Sequence, residues 1–384
     1  MHTRPPSILI LNRTFPPVAG ATGRLAYELA KHLSQKGHPV TIITTASEVK
    51  TERLKNLTII RVQGDINPKG AFDYYRILKR MEHAAKKVQR HNFVISMTDP
   101  PMLAAVGDKI AKRMQAKHIQ WCMDVYPDLF PVLGQDMHSI LYGYIKRKIY
   151  KAMRAADKIV PISACMAKHL TYNALPRSHM EVIENWPEEI LYGDDAQEDK
   201  EDNKFRVLYA GNIGLGHHFE TILKAAKHFL SSAPEIEFCF VGHGRGKANL
   251  EQAVKKQNLQ NVKILPRQSR QKLKSMLESG DVHLVTMKAD ALGLLYPSKL
   301  YAAFAVARPV IFIGPEACDI ANTLQSNNCG LSLRPQDTQS LINAITDYRH
   351  NADLWFAHSQ NASKIVKTAR QDRFTQWDKI LSEL

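Results

Sequence analysis

Ser7-Ile8-Leu9-Ile10-Leu11, the helical-spaced set Leu25, Ala26, Leu29, Ala30 and Leu33, and Val40-Thr41-Ile42-Ile43-Thr44 together decide the fold. A strand-like apolar run leads into a Pro/Gly loop, a helix follows as far as Gly37, and a second apolar run comes next. Short apolar strands separated by a helix predict βαβ units in a parallel sheet with right-handed crossovers. The alternation continues outward through strands at 57–62, 93–96 and 118–122 and helices near 71–90 and 101–115.

From Trp186 to Lys204 the chain turns polar and loses periodicity, which predicts an interdomain linker. The pattern then restarts, with strands at 205–210, 236–241, 262–265, 282–286 and 310–313 and a helix near 218–230. A second doubly wound α/β domain is the simplest reading. Residues 353–384 read as helical throughout, with Leu354, Trp355, Ile365, Val366, Phe374, Trp377, Ile380 and Leu381 as packing residues. The expected organisation is a first domain over 1–186, a linker over 187–204, a second domain over 205–352 and a helical segment over 353–384. Open α/β sheets bind ligands beyond the carboxyl ends of their strands, so the site is expected in the cleft between two facing domains.

The chain has 384 residues, 44% of them apolar and 23% charged, which excludes a disordered or fibrous protein. Its five cysteines contain no C-x-x-C pair and no histidine at zinc-finger spacing, so a reduced, metal-free cytoplasmic protein is expected. The apolar run at the N-terminus is too short for a signal-peptide core, and no run approaches the roughly 18 apolar residues of a membrane span. Net charge is +15, of which +12 falls in residues 1–190. Such a surface suits an anionic membrane, phosphorylated substrates or nucleic acid. No helix-turn-helix, RNP-type or zinc-finger signature accompanies the charge, which argues against nucleic acid.

Three glycine-rich loops follow predicted strands. Gly20 and Gly23 precede a helix whose first amides could hold an anion, or they only shape a turn. Gly211-Asn212-Ile213-Gly214 could cradle a diphosphate, and Gly242-His243-Gly244-Arg245-Gly246 repeats the arrangement, with Arg245 a candidate phosphate partner or part of a tight turn. Pro297 and Ser298 start a further helix and place Lys299 in its first turn. A cation there opposes the helix dipole unless an anion accompanies it, which favours phosphate binding over a solvated surface lysine.

The Pro-Pro-x-x-Gly loop, Asp124-Val125-Tyr126-Pro127-Asp128, Ile183-Glu184-Asn185-Trp186, Tyr209-Ala210-Gly211-Asn212-Ile213-Gly214 and Pro297-Ser298-Lys299-Leu300-Tyr301 occur in this order. They resemble the retaining GT-B glycosyltransferases of family 4, particularly the WbuB type of bacterial envelope polysaccharide enzyme. The resemblance implies two Rossmann-like domains facing a cleft, with the last helix crossing back to the first domain. It implies a nucleotide diphosphate sugar, UDP-linked, held by Gly211, Asn212, Gly214, Gly242, Arg245, Leu294, Ser298 and Lys299, with Gly20 and Gly23 approaching from the other side. Asp124 would lie near the transferred sugar or the acceptor hydroxyl and Asp99 could face the cleft, although capping the helix after Pro100 is its simpler role. Lys299 and oriented amides would stabilise the leaving diphosphate, and neither a metal nor a cofactor is expected.

The sequence departs from the family pattern at defined places. Leu294 and Ala302 stand where two glutamates are usual, Asn212 replaces an arginine, and Met123-Asp124 replaces His-Asp. Asp290, Glu316 and Asp319 could rebuild the ribose contact, and His218 a basic phosphate contact. An inactive GT-B subunit or a nucleotide-sugar 2-epimerase are the competing readings. The lipid-linked or growing saccharide acceptor implied by the resemblance suits the basic, aromatic-containing segments around Tyr74–Lys87 and Tyr142–Arg154, which read as membrane-surface helices at the inner face of the plasma membrane or as ordinary amphipathic helices.

Overall fold

The computed structural model describes residues 5–18, 20–65, 68, 70–135, 137–192, 202–214 and 219–384. Strands β1 (Ile8–Leu11), β2 (Val40–Ala46), β3 (Lys50–Arg53), β4 (Leu57–Gln63), β5 (Phe93–Ser96), β6 (Lys117–Cys122) and β7 (Lys158–Pro161) form the first sheet, in the order β3-β4-β2-β1-β5-β6-β7. Every pairing in it is parallel except that of β3 with β4. Strands β8 (Phe205–Asn212), β9 (Ile236–His243), β10 (Val262–Leu265), β11 (Val282–Thr286), β12 (Val310–Ile313) and β13 (Gly330–Leu333) form the second, in the order β10-β9-β8-β11-β12-β13, all parallel. The expected pair of doubly wound domains is therefore present.

Helices cover both faces of each sheet, which is why strands such as β1, β5, β11 and β12 are mainly apolar and buried at every residue. Strand order reverses between β1 and β5 in the first sheet and between β8 and β11 in the second. The loops leaving these four strands lie at the topological switch points, where an α/β sheet opens a crevice. They carry Gly20, Asp99, Gly214 and the segment leading to Lys299 respectively.

Three strands lie outside the expected pattern. β3 reads Lys-Thr-Glu-Arg, with no apolar residue to announce it, and exists by pairing antiparallel with β4, with Glu52 accepting from Arg61 Nε at 2.7 Å. β7 and β13 are short and are completed by β6 and β12. The expected linker 187–204 begins docked rather than free. Leu191 is buried with Leu277 and Val306, and the Tyr192 hydroxyl donates to Val366 O at 3.0 Å.

The C-terminal segment also divides. Its first helix, Ala352–Val366, rests mainly on the second domain, where Leu354 and Trp355 join that core and Trp355 Nε1 donates to Asp281 O at 2.8 Å. Its second, Ala369–Glu383, crosses to the first domain. There Trp377 meets Trp121 at 4.8 Å between ring centroids, and Phe374 packs on Trp186 at 5.3 Å and His32 at 4.3 Å. Arg370 pairs with Glu28 and Arg373 with Glu184. One apolar cluster consequently runs from Ile8 and Ile10 through Trp121 and Trp377 to Leu300, Phe304 and Phe312 of the second domain.

Candidate functional site

The first domain supplies one wall of the cleft. Gly20 is the N-cap residue of the helix Ala21–Gln35, no side chain caps that end, and a Cβ at Gly20 would meet only Thr14, at 3.7 Å. Gly23 has a different reason to be glycine. A Cβ there would stand 2.8 Å from the Thr14 carbonyl, so its bare backbone lets the helix lie on the Thr14–Phe15 turn.

Beyond β5, Asp99 does not cap the helix Leu103–Met114, as its place before two prolines suggested. That helix starts from Met102 in a left-handed conformation, and Asp99 Oδ1 instead accepts from Arg13 Nε at 2.7 Å. Burial raises the Asp99 pKa above the ordinary carboxylate value even though Arg13 opposes it. Asp124, in the loop after β6, is fixed by its amide donating to Thr98 Oγ1 at 3.2 Å. Burial, reinforced by the charge of Asp99, pushes its carboxyl up to about 7. No hydrogen-bond or ion-pair partner of that carboxyl is found among the described residues. A carboxyl poised near neutrality can exchange a proton with a hydroxyl that reaches it.

The second domain supplies the facing wall. Gly211 and Gly242 sit opposite each other at the ends of β8 and β9, and a Cβ on Gly242 would fall 1.8 Å from the Gly211 carbonyl oxygen. Gly244 is equally constrained, its Cβ position lying 2.3 Å from Ile213 O. Gly242 therefore has a packing reason of its own to be glycine, beside the donor contact expected of it. The close stacking of the two loops leaves Gly211, Asn212 and Gly214 at the surface of the turn and thrusts an exposed Arg245 outward. Arg245 faces the other domain. Burial raises the Tyr74 hydroxyl above its ordinary pKa, and Arg13 together with Arg245 pulls against that rise.

Lys299 is the first residue of the short helix Lys299–Ala305, with Ser298 at the N-cap position and no side-chain cap. Its ammonium lies 3.8 Å from the Tyr209 ring centroid, donates to the Tyr209 hydroxyl, and runs its Cε 3.4 Å from the Cβ position of Gly211. No carboxylate pairs with it among the described residues, and burial drives its pKa well below the ordinary lysine value. An ammonium held without a counter-charge is costly, and an anion placed beside it recovers that cost.

Leu294, expected at a donor-contact position, turns its side chain into the shared core at 6% exposure, and its carbonyl accepts from Val125 N at 2.8 Å. That bond ties the two domains together one residue from Asp124. Ala302 packs beside Leu191 and Val306. The candidate substitutes for the missing glutamates are placed elsewhere. Asp319 accepts from the Cys165 amide at 2.7 Å across the domain junction, Glu316 pairs with Arg334 on the surface, and Asp290 is exposed after β11. His217 and His218 lie outside the described residues. Among the described residues no cluster of three or more His, Cys, Asp or Glu could hold a metal ion, and no helix is long and apolar enough to cross a membrane.

Asp128 is part of the Asp124–Asp128 motif but serves the scaffold. It accepts from Tyr142 Oη at 2.7 Å and Lys146 Nζ at 2.6 Å, as well as from Tyr150, and so ties the helix Ser139–Arg154 to the cleft loop. Tyr209 stands in the sequence only as the first residue of the glycine-turn motif and Asp319 only as a possible ribose contact; their actual partners, Lys299 and the Cys165 amide, lie 90 and 154 residues away and leave no local signal.

Two doubly wound domains whose switch-point loops face each other, one presenting a glycine turn and a lysine with no carboxylate partner among the described residues and the other a near-neutral carboxyl, have the architecture of the GT-B fold. Residues 22–186 match the family model described as Glycosyltransferase Family 4, and residues 194–371 that described as Glycosyl transferases group 1. The chain is accordingly a glycosyltransferase of this two-domain family. It is 28% identical over 377 residues to WcaI of Escherichia coli (strain K12), named as a colanic acid biosynthesis glycosyl transferase, with 88% of this chain and 91% of that one covered. Its fold is shared with sucrose-phosphate synthase of Thermosynechococcus elongatus, at a TM-score of 0.78, 16% identity and 98% coverage of both chains. HepE of Anabaena, solved with UDP-glucose, superposes at a TM-score of 0.75 and 14% identity, covering 99% of this chain and 100% of that one.

Proposed function

We propose that this enzyme transfers a sugar, with retention of configuration, from a UDP-linked donor to a lipid-linked or growing saccharide acceptor in bacterial envelope polysaccharide synthesis. The observation that carries the proposal is Lys299: a part-buried ammonium with no carboxylate partner among the described residues, set against Gly211 of the Gly211–Gly214 turn at the second-domain switch point. A donor diphosphate seated on that turn supplies the missing negative charge. As the glycosidic bond breaks, Lys299 and the turn amides stabilise the charge gathering on the leaving diphosphate. Asp124 and Asp99, across the cleft, belong to the sugar and acceptor side, where the raised pKa of Asp124 suits contact with a hydroxyl.

The kinship with WcaI supports the polysaccharide setting, and the HepE complex supports UDP as the nucleotide. Exposed Phe72 and Tyr75 on the helix Ala71–Lys87, and Ile140, Leu141 and Tyr144 on the helix Ser139–Arg154, stand among Arg76, Lys79, Arg147 and Lys148. Both helices begin beyond the carboxyl ends of the first sheet, so this apolar and basic rim flanks the acceptor side, which supports an acceptor carried on an anionic membrane.

Calorimetric titration with UDP, GDP and their sugar conjugates tests the reading. Saturable binding of UDP or its conjugate, lost in Lys299→Ala while the circular dichroism spectrum is retained, is the expected result. Absence of binding to every nucleotide, with lipid vesicles present as well, would overturn it in favour of an inactive GT-B subunit.

A further inference from the structure

Lysine carries a long, flexible stem, and fixing it in one conformation costs entropy that a binding event otherwise has to supply. Lys299 does not wait free in solvent. Tyr209, the fifth residue of β8, is fully buried, and its ring is held edge-on to Phe219 at 5.1 Å and tilted against Phe240 at 5.7 Å. Its hydroxyl donates to Asn212 O at 2.8 Å, bonds the Thr286 side chain, and accepts from Lys299 Nζ. The proton of that hydroxyl is thus committed to the backbone of the glycine turn, which leaves its oxygen to receive the ammonium. Three segments distant in sequence, the end of β8, the end of β11 and the start of the helix Lys299–Ala305, meet at one oxygen atom.

We propose that Tyr209 is the positioning residue of the donor site: its ring and hydroxyl hold Lys299 aimed at the Gly211 turn and lock the lysine and the turn into one preformed unit. The inference rests on the reading of Lys299 as the diphosphate contact. An ammonium has three N–H donors, and Tyr209 uses one, so the other two remain for phosphate oxygens. Because the contact is made before the donor arrives, its benefit is preorganisation, appearing as donor affinity rather than as protein stability.

The test compares wild type with Tyr209→Phe, which keeps the buried ring and removes only the hydroxyl, and uses two measurements. Competitive acetylation of the folded protein with acetic anhydride, read by mass spectrometry, reports how firmly Lys299 is held and needs no nucleotide. UDP titration reports the consequence for the donor. The variant is expected to label several-fold faster at Lys299, with other lysines unchanged, and to bind UDP about tenfold more weakly, the effect of releasing one lysine side chain. Labelling within twofold of wild type overturns the proposal, as does faster labelling with unchanged UDP affinity. If wild type and Lys299→Ala bind UDP equally, the reading of the donor site fails and the positioning role fails with it, whereas a wild type that loses UDP on Lys299→Ala but not on Tyr209→Phe refutes the role of Tyr209 alone.

Discussion

Replacing Asp124 by asparagine should stabilise the fold while damaging the enzyme. In the native protein burial, and then the charge of Asp99, lift the Asp124 carboxyl from 3.8 to about 7. Between those values the unfolded chain has released the proton and the folded chain still holds it. The folded state therefore binds more protons, and stability falls as pH rises through that window. The distance from 3.8 to about 7 corresponds to roughly 4 kcal/mol of destabilisation above neutrality, and water reaching part of the side chain brings the expected figure to about 2 kcal/mol. Asparagine cannot ionise, so the variant should be more stable than wild type at pH 8, by about 2 kcal/mol, and the gain should shrink by half or more at pH 5. Urea unfolding of both proteins at the two pH values measures this directly, and contributions from titrating groups that do not interact with Asp124 cancel in the comparison. Sugar transfer by Asp124→Asn should fall by about a hundredfold if the carboxyl handles a hydroxyl proton. A variant less stable than wild type at pH 8, or a difference independent of pH, would refute the burial argument.

Trp377 is fully buried against Trp121 where the last helix crosses to the first domain, and Trp377→Ala should cost about 3–5 kcal/mol, seen as a lower urea midpoint and as faster proteolysis after residue 366. For the membrane rim, Ile140→Asp with Leu141→Asp should reduce co-sedimentation with phosphatidylglycerol vesicles several-fold. Raising the salt concentration should weaken wild-type binding as well, because exposed charges are screened.

Many elements were legible from apolar runs or stripes, although β7 and the helix Thr338–His350, which carry such patterns, were not among those expected. β1, β2, β5 and β11 are apolar runs, and the helix Ala21–Gln35 buries the Leu25, Leu29 and Leu33 stripe. β3 was not legible because Lys50–Arg53 has no apolar signal and becomes a strand only by pairing with β4. The motif residues were legible as types. Yet Gly23 and Gly242 look the same in sequence as Gly20 and Gly211, and only the backbone carbonyls 2.8 and 1.8 Å from their Cβ positions show that packing also requires glycine at these two.

Sequence alone determined two doubly wound domains and the loops that carry their chemistry, because strand and helix periodicity and glycine placement are local properties of the chain. Tertiary structure alone decided that Leu294 points into the core, that Asp319 is occupied by the Cys165 amide, that Asp99 pairs with Arg13, and that Lys299 rests on Tyr209 with no carboxylate beside it among the described residues. These outcomes depend on which side chains meet across 86 to 154 residues of chain, and on how much water remains around each charge once they have met.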